Sequence, residues 1–414
     1  MTYPLRSTIA IRIFTCFAFG YFLSYALRSV NAAIAPGLVR DLNLSASELG
    51  NLSSAYLLFF AILQLPMGSW LDRYGPRKTE AALLLVAALG CFVFALAHTF
   101  LGAWTGRALI GAGVSGCLMA AYKGFREYFP LDQQQRLASW MLMAGTAGVL
   151  TTTIPVQYVV TLTGWRPVFM VAGGLLLMSS AAIFVGLPKD AAAEEDKQRT
   201  SSQFRQYGLM DVAREAYFWR LALLGIVFTG GFIALQSLWL GPWLTNVLAY
   251  SPAAAANILF AFNLVLFWAY FAMSWLIPRA QQHGLSIPVI AIAMNAVGLV
   301  VLFAASWFTR ANDWWIWLAL PACTTINTLA QTYINGYFPK ALAGRANAMF
   351  NLLIFAGAFC LQSGLGLLID FFKTKGASTI AAYQQSIWVY LGLALVAWLV
   401  FTAWRPKPPQ FDLT

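Results

Sequence analysis

Tyr21, Tyr25 and Arg28 fall at i, i+4 and i+7 within the apolar stretch YFLSYALRSVNAAIAPGL, residues 21–38. In a helix this spacing puts two phenols and a guanidinium on one face. A guanidinium is permanently charged, and its planar fork of donors matches a carboxylate or a phosphate. Placing it at the centre of a membrane helix costs roughly 2.5–3.5 kcal/mol on insertion scales, so such a residue normally faces a bundle interior or a wet cavity. Arg28 stands eight residues before Pro36, about 12 Å from the outer end at the α-helical rise. Snorkelling to the headgroups is a long reach from there, and the residue reads as a ligand for an anion. A second arginine, Arg107, lies five residues into another apolar stretch, in TGRALIGAGVSG, roughly 8 Å deep by the same rise. It can face the same lumen at similar depth, or hydrogen-bond neighbouring helices.

The acidic residues give the complementary pattern. Of the 15, none falls near the middle of an apolar stretch. Asp41, Glu48, Asp313 and Asp370 are expected at or near outer boundaries and the remainder on the cytoplasmic side. A carrier for an organic cation would place a carboxylate in its cavity; here an incoming anion would supply the missing charge. His98 and His283 lie at the ends of apolar stretches, with no acid four residues away. The five cysteines lie inside such stretches without metal-binding spacing, and read as small buried apolar residues. No enzyme constellation, metal set, cofactor motif or nucleic-acid motif is visible, and no Walker sequence occurs.

These side chains need membrane helices to hold them. The 414 residues are 60% hydrophobic and only 10% charged, whereas a soluble domain carries about 25% charged residues. Apolar runs of about 20 residues, each long enough to cross a bilayer, recur along the chain. Twelve spans are predicted, near 11–36, 49–71, 79–98, 102–124, 137–160 and 166–187, then 219–246, 252–277, 286–308, 313–336, 346–371 and 385–404. The first lacks the features of a cleavable signal. One break is long, the polar segment 188–220, with a short surface helix expected at its end. This gives an N-terminal six-helix bundle (1–187), a cytoplasmic linker (188–218) and a C-terminal six-helix bundle (219–414). With both termini in the cytoplasm, 19 of the 26 lysines and arginines fall on the cytoplasmic side, five outside, and Arg28 and Arg107 in the membrane. That asymmetry fixes the orientation and accounts for the net charge of +11 without a nucleic-acid partner.

The chain also repeats itself. REYFPLDQQQRLASWMLMAGTAG (126–148) matches NGYFPKALAGRANAMFNLLIFAG (335–357) at an offset of 209, aligning Gly148 with Gly357. A second match, 35–52 with 241–258, has an offset of 206. Repeated six-helix halves are the plan of carriers in which one half rocks against the other around a mid-membrane site. The glycines Gly111, Gly113 and Gly116 read as helix-packing surfaces. In the second half, Gln236, Trp239 and Trp243 share one face of the seventh span. Thr324, Asn327, Thr328 and Gln331 form a polar stripe on the tenth, and Asn263 and Asn351 are polar positions in the eighth and eleventh. Any of these can orient a substrate or serve as an interhelical bond.

The loop GSWLDRYGPRK, residues 68–78, resembles the signature loop of the major facilitator superfamily. Gly68, Asp72, Arg73, Gly75, Arg77 and Lys78 match, with Pro76 interrupting. The resemblance implies an all-α polytopic fold of twelve transmembrane helices in two pseudo-symmetric halves. It also implies a conformational latch at Asp72, Arg73 and Arg77, carried on Gly68 and Gly75. Asp72 is expected to pair with an arginine and to accept N–H bonds from a helix terminus. The matching loop of the second half, WLIPRAQQHGLS, keeps Arg279 and Gly284 but lacks the aspartate, which implies a degenerate second latch. Arg107 with its spaced glycines resembles the family's fourth-helix motif, often tied to proton coupling. Tyr25, Arg28 and Pro36 resemble the first helix of the family's organic-anion branch of sugar-acid, aromatic-acid and organophosphate carriers. The seventh span has no paired arginine of the kind that some phosphate-ester carriers use there, which favours a carboxylate.

The resulting expectation is a secondary active transporter of the inner membrane, functional as a monomer, that takes up a small organic anion by alternating access, with a coupling proton as a possible second solute. The substrate-binding candidates are Arg28, Tyr25, Tyr21, Arg107, Gln236, Trp239, Asn327 and Gln331. Two other readings fit the composition: a proton-driven exporter of drugs or siderophore-like compounds, and a non-transporting membrane receptor.

Overall fold

The computed structural model describes residues 7–130, 133–188, 209–330, 333–334, 338 and 340–406. Gln331 and residues 189–208 of the expected linker lie outside them. Among the described residues, ten helical stretches are long and apolar enough to cross a membrane. Helix 1 is Thr8–Ser29, continued beyond a break at Val30 by Asn31–Leu42. Helices 2 and 3 share the stretch Ala46–Ala95, broken at Gly75. Helix 4 is Phe100–Tyr128, helix 5 Arg136–Thr163 and helix 6 Trp165–Gly186. A short helix, Leu209–Arg214, stands at the end of the linker as expected. Helix 7 is Ala216–Asn246, helix 8 Pro252–Gln282, helix 9 Ile287–Trp307, helix 11 Arg345–Thr374 and helix 12 Thr379–Ala403. Helix 10 is irregular, a 3-10 turn at Ala311–Leu318, an α-turn at Ala319–Thr324 and a second 3-10 turn at Thr325–Thr328. Splitting the longest stretch at Gly75 and adding helix 10 gives twelve. The chain is an all-α, multi-pass membrane protein.

Local chemistry explains the boundaries. Gly75 adopts φ 76° and ψ 165°, a left-handed backbone that glycine enters without steric cost, and Pro76 starts helix 3 where its missing N–H is not needed. Ser7, Thr99, Ser251 and Ser378 each accept a backbone N–H at the start of a helix, satisfying donors that the first turn leaves unpaired.

The chain divides into two compact units, residues 1–43 with 55–205 and residues 44–54 with 206–414. In the first, the glycines of helix 4 are packing surfaces: Gly111 lies on the backbone of Tyr56, Gly113 on that of Ala87, and Gly116 on the Met67 and Leu83 side chains. At one end of this unit Asp41 accepts from Trp165 Nε1 (3.0 Å) and Arg166 (2.6 Å), and Arg166 donates onward to the Ala97 carbonyl (3.1 Å). Burial pushes the Asp41 carboxyl up, but the bonds from Arg166 and Trp165 outweigh it and hold the group below its usual range.

The second unit contains the start of helix 2. Asp370 accepts from the backbone N–H groups of Ala46 (3.2 Å) and Ser47 (2.6 Å) and from the Ser47 hydroxyl (2.5 Å). A carboxylate there suits the positive end of the helix dipole. Ser54 and Ser363 share a hydrogen bond of 2.5 Å. The internal repeat has a structural counterpart within each unit. Gly148 presses on the carbonyl of Phe22 in helix 1, and its repeat mate Gly357 presses on the carbonyl of Ile226 in helix 7.

Candidate functional site

Arg28 sits one residue before the end of the first regular segment of helix 1. Its guanidinium lies 4.5 Å from the centre of the Tyr25 ring and 5.0 Å from that of Phe60, and it bonds to the Tyr56 hydroxyl. The side chain is half-buried. Two aromatic faces and a phenol are favourable surroundings for a cation. Tyr56 in turn donates to the Ser24 carbonyl of helix 1 (3.1 Å), and Ser24 donates to Val114 of helix 4 (3.4 Å). Helices 1, 2 and 4 are thus tied together around the arginine. Tyr21 and Tyr25 have ring centres 4.8 Å apart, and Gly145 of helix 5 leaves room for both. Tyr25 is half-buried, whereas Tyr21 is only 3% exposed.

Arg107 has a different environment. It is fully buried and donates to the Leu27 carbonyl at 3.1 Å. Its guanidinium lies 4.9 Å and 5.3 Å from the rings of Phe94 and Phe169. The two arginines differ in exposure: Arg28 is half-buried, whereas Arg107 has no exposed surface. Arg107 braces helix 1 at the carbonyl next to Arg28.

The polar residues of helices 7 and 10 bond mainly to neighbouring helices. Helix 7 contains two π-helical turns, Gly225–Thr229 and Leu235–Trp239. Gln236, half-buried, donates to Asn263 Oδ1 at 2.7 Å, and Asn263 donates to the Leu259 carbonyl at 2.8 Å. Ser237 donates to Gln362 Oε1 at 3.0 Å, and Trp239 to the Gln362 carbonyl at 2.9 Å. Trp239 and Trp243 are both buried, and Trp243 packs on Trp317. Asn327 exchanges a reciprocal pair of amide bonds with Asn295, 2.9 and 3.0 Å long. Thr324 and Thr328 bond back to carbonyls of their own helix. Trp239 and Asn327 therefore act as interhelical ties, and Gln236 retains exposed surface.

In the signature loop, Asp72 pairs with Lys123 of helix 4 at 2.5 Å, a lysine where an arginine was expected. The Asp72 side chain is 74% exposed, and exposed ion pairs contribute about 0–1 kcal/mol. Arg77 donates from Nε to the Phe184 carbonyl of helix 6 (2.8 Å) and lies over the Phe184 ring. Arg73 lies over Tyr74. Gly68 is exposed, with open space where a Cβ would stand.

Glu80, counted above with the acids of the cytoplasmic side, has no exposed surface and is packed among the helices near the start of helix 3. Sequence reasoning also passed over Tyr56, Phe60 and Gly145. Tyr56 and Phe60 have a detectable signal, an aromatic pair at i, i+4 that repeats the spacing of Tyr21 and Tyr25.

The sequence profile of the Major Facilitator Superfamily matches residues 17–360. The chain belongs to the Major Facilitator Superfamily. Among relatives of this superfamily, it is similar to the hexuronate transporter of Escherichia coli (strain K12). The two are 24% identical over 217 residues, covering 49% of this chain and 50% of the relative. The galacturonate transporter of Dickeya chrysanthemi is 25% identical over 217 residues, covering 49% of this chain and 63% of the relative. The chain thus spans about half the length of the hexuronate transporter it matches. A solved D-xylose-proton symporter shares the fold over 97% of this chain and 99% of its own, with a TM-score of 0.77 at 16% identity.

Proposed function

We propose that this superfamily member is a secondary active transporter that takes up a small organic anion, a carboxylate of the sugar-acid class, across the inner membrane by alternating access. The observation that carries the reading is Arg28, a half-buried residue whose guanidinium is held between the Tyr25 and Phe60 rings in an otherwise apolar helix. Its fork suits a carboxylate, and the relatives named above are transporters of hexuronate and galacturonate, both sugar carboxylates. Arg28 is the anion ligand, with Tyr25 and Tyr21 beside it. Gln236 is the polar group left to hydrogen-bond the hydroxyls of such a cargo. Gln331 keeps the same candidate role from its sequence position. Arg107, Trp239 and Asn327 act as positioning residues. Gly68, Asp72, Arg73, Gly75 and Arg77 form the conformational latch.

The protein works as a monomer, with halves 1–187 and 219–414 joined by a cytoplasmic linker, and with both termini in the cytoplasm. The concentration of lysine and arginine in one set of loops supports that orientation. A proton travels with the anion. Neither drug export nor a receptor role draws support from the relatives.

Radiolabelled D-galacturonate and D-glucuronate uptake into proteoliposomes, with counterflow by unlabelled acid, tests the reading. Saturable uptake of a sugar acid with counterflow is expected. Uptake of organic cations with none of any carboxylate would refute it.

A further inference from the structure

Glu80 lies five residues beyond the Gly75 break, near the start of helix 3, and has no exposed surface. Neither carboxyl oxygen accepts a hydrogen bond of ordinary geometry. Among the described residues, no lysine, arginine or histidine nitrogen comes within 4.0 Å of it. Three other helices close around it. Helix 1 contributes Gly20, where a Cβ would stand 2.9 Å from Glu80 Oε1, and the titratable Cys16, whose charged neighbour is Arg12. Helix 4 contributes the Cys117 thiol, a weak donor that faces the carboxyl. Helix 6 contributes the Ser179 hydroxyl, itself buried and unbonded. On its own element, Arg77 is directed to Phe184 and Lys78 is exposed.

An ionised carboxylate without a charge partner or strong donors is far too costly in such a place, and the group is stable there only as the neutral acid. We propose that Glu80 binds the proton that travels with the cargo. The proposal rests on the transporter reading given above. The step is COO⁻ + H⁺ → COOH, with water delivering the proton and removing it again when the pocket is wetted. Bound together, one proton and one monovalent carboxylate add no net charge to the moving protein. The hinge needed for wetting is nearby: Gly75 is the non-helical residue between helices 2 and 3, and the exposed Asp72–Lys123 pair stands three residues before it. Opening the latch and ionising Glu80 would then be one event, so that the latch closes only over a protonated carboxyl. An ionisable side chain inside a membrane protein is a functional candidate by default, and the weak Cys117 thiol donor does not account for this one.

The test has two arms. Infrared spectra of the purified protein at neutral pH should show a protonated-carboxyl C=O band that Glu80→Gln lacks and Glu80→Asp retains. A wild-type spectrum without that band overturns the proposal whatever the substrate is. In proteoliposomes, Glu80→Gln should keep sugar-acid counterflow within about twofold of wild type and lose pH-gradient-driven accumulation by about tenfold or more. Accumulation by Glu80→Gln equal to wild type, with the same pH dependence, also overturns it. If the infrared band is present and no carboxylate is transported at all, the sugar-acid reading fails and the proton site stands. Should Glu80→Gln fail to fold, Glu80→Asp carries the second arm, with coupling retained and its pH dependence displaced; an undisplaced profile counts against Glu80.

Discussion

The two units deal differently with buried polarity. The first encloses ionisable groups well inside its helices: Arg107 and Glu80 have no exposed surface, and Arg28 is half-buried. The second relies on neutral polar groups bonded to one another, the amides of Asn295 with Asn327 and Gln236 with Asn263, and the Ser237 hydroxyl with the Gln362 amide oxygen. Two of its charged residues, Arg220 and Asp370, stand toward helix ends, bonded to the Phe401 carbonyl and to the start of helix 2. A paired amide costs little to bury, whereas a charge costs much more unless it is compensated. A protein retains such charges where they do something. On the proposed reading, charge recognition would fall to the first unit, and hydrogen bonding and packing to the second.

The largest effect should come from Arg28. Truncating one partner of a hydrogen-bonded charge pair costs about 2–5 kcal/mol, so Arg28→Ala should reduce sugar-acid transport at least about 30-fold by that measure, with normal membrane insertion. Arg28→Lys should also be poor, because a point charge does not reproduce the fork. Asp72→Asn should come next, slowing turnover roughly tenfold with binding affinity within about twofold of wild type. A large loss of affinity at normal turnover would break the latch assignment. Arg107→Gln should lower the thermal midpoint of the purified protein, consistent with about 1–3 kcal/mol for the bond to the Leu27 carbonyl, and leave affinity within about threefold. The smallest effect should be Asn327→Ala. Interhelical hydrogen bonds in membranes average about 0.6 kcal/mol, so melting should shift slightly and uptake should stay near wild type. An Asn327→Ala protein as inactive as Arg28→Ala would erase the distinction between the two units.

Much of this arrangement was legible in the sequence. The repeat predicted Gly148 and Gly357 as equivalents, and each presses on a carbonyl of the first helix of its half. The face shared by Tyr21, Tyr25 and Arg28 needed only helical periodicity, and the loop at 68–78 carried a pattern of glycines and charges. What was not legible depends on irregular backbone or on distant neighbours. A regular 3.6-residue period puts Gln236 and Trp239 on one face. The π-helical turn at 235–239 widens the helix there, and the two side chains bond to different helices, Gln236 to Asn263 and Trp239 to Gln362. Glu80 follows Arg77, Lys78 and Thr79, a run that reads as a solvated loop. Its burial depends on the turn at Gly75 and on the space that Gly20, sixty residues earlier, leaves for its carboxyl. Lys123 as the partner of Asp72 is likewise a contact between helices that no local pattern encodes.

The central claim is that Arg28 recognises a negative charge on the cargo. Calorimetric titration of D-galacturonate and neutral D-galactose into purified wild-type and Arg28→Ala protein tests it most directly. Saturable binding of the acid to wild type alone, with no binding of the neutral sugar, is the predicted result. Equal affinity of both proteins for the acid, or galactose binding as tightly as galacturonate, would contradict it.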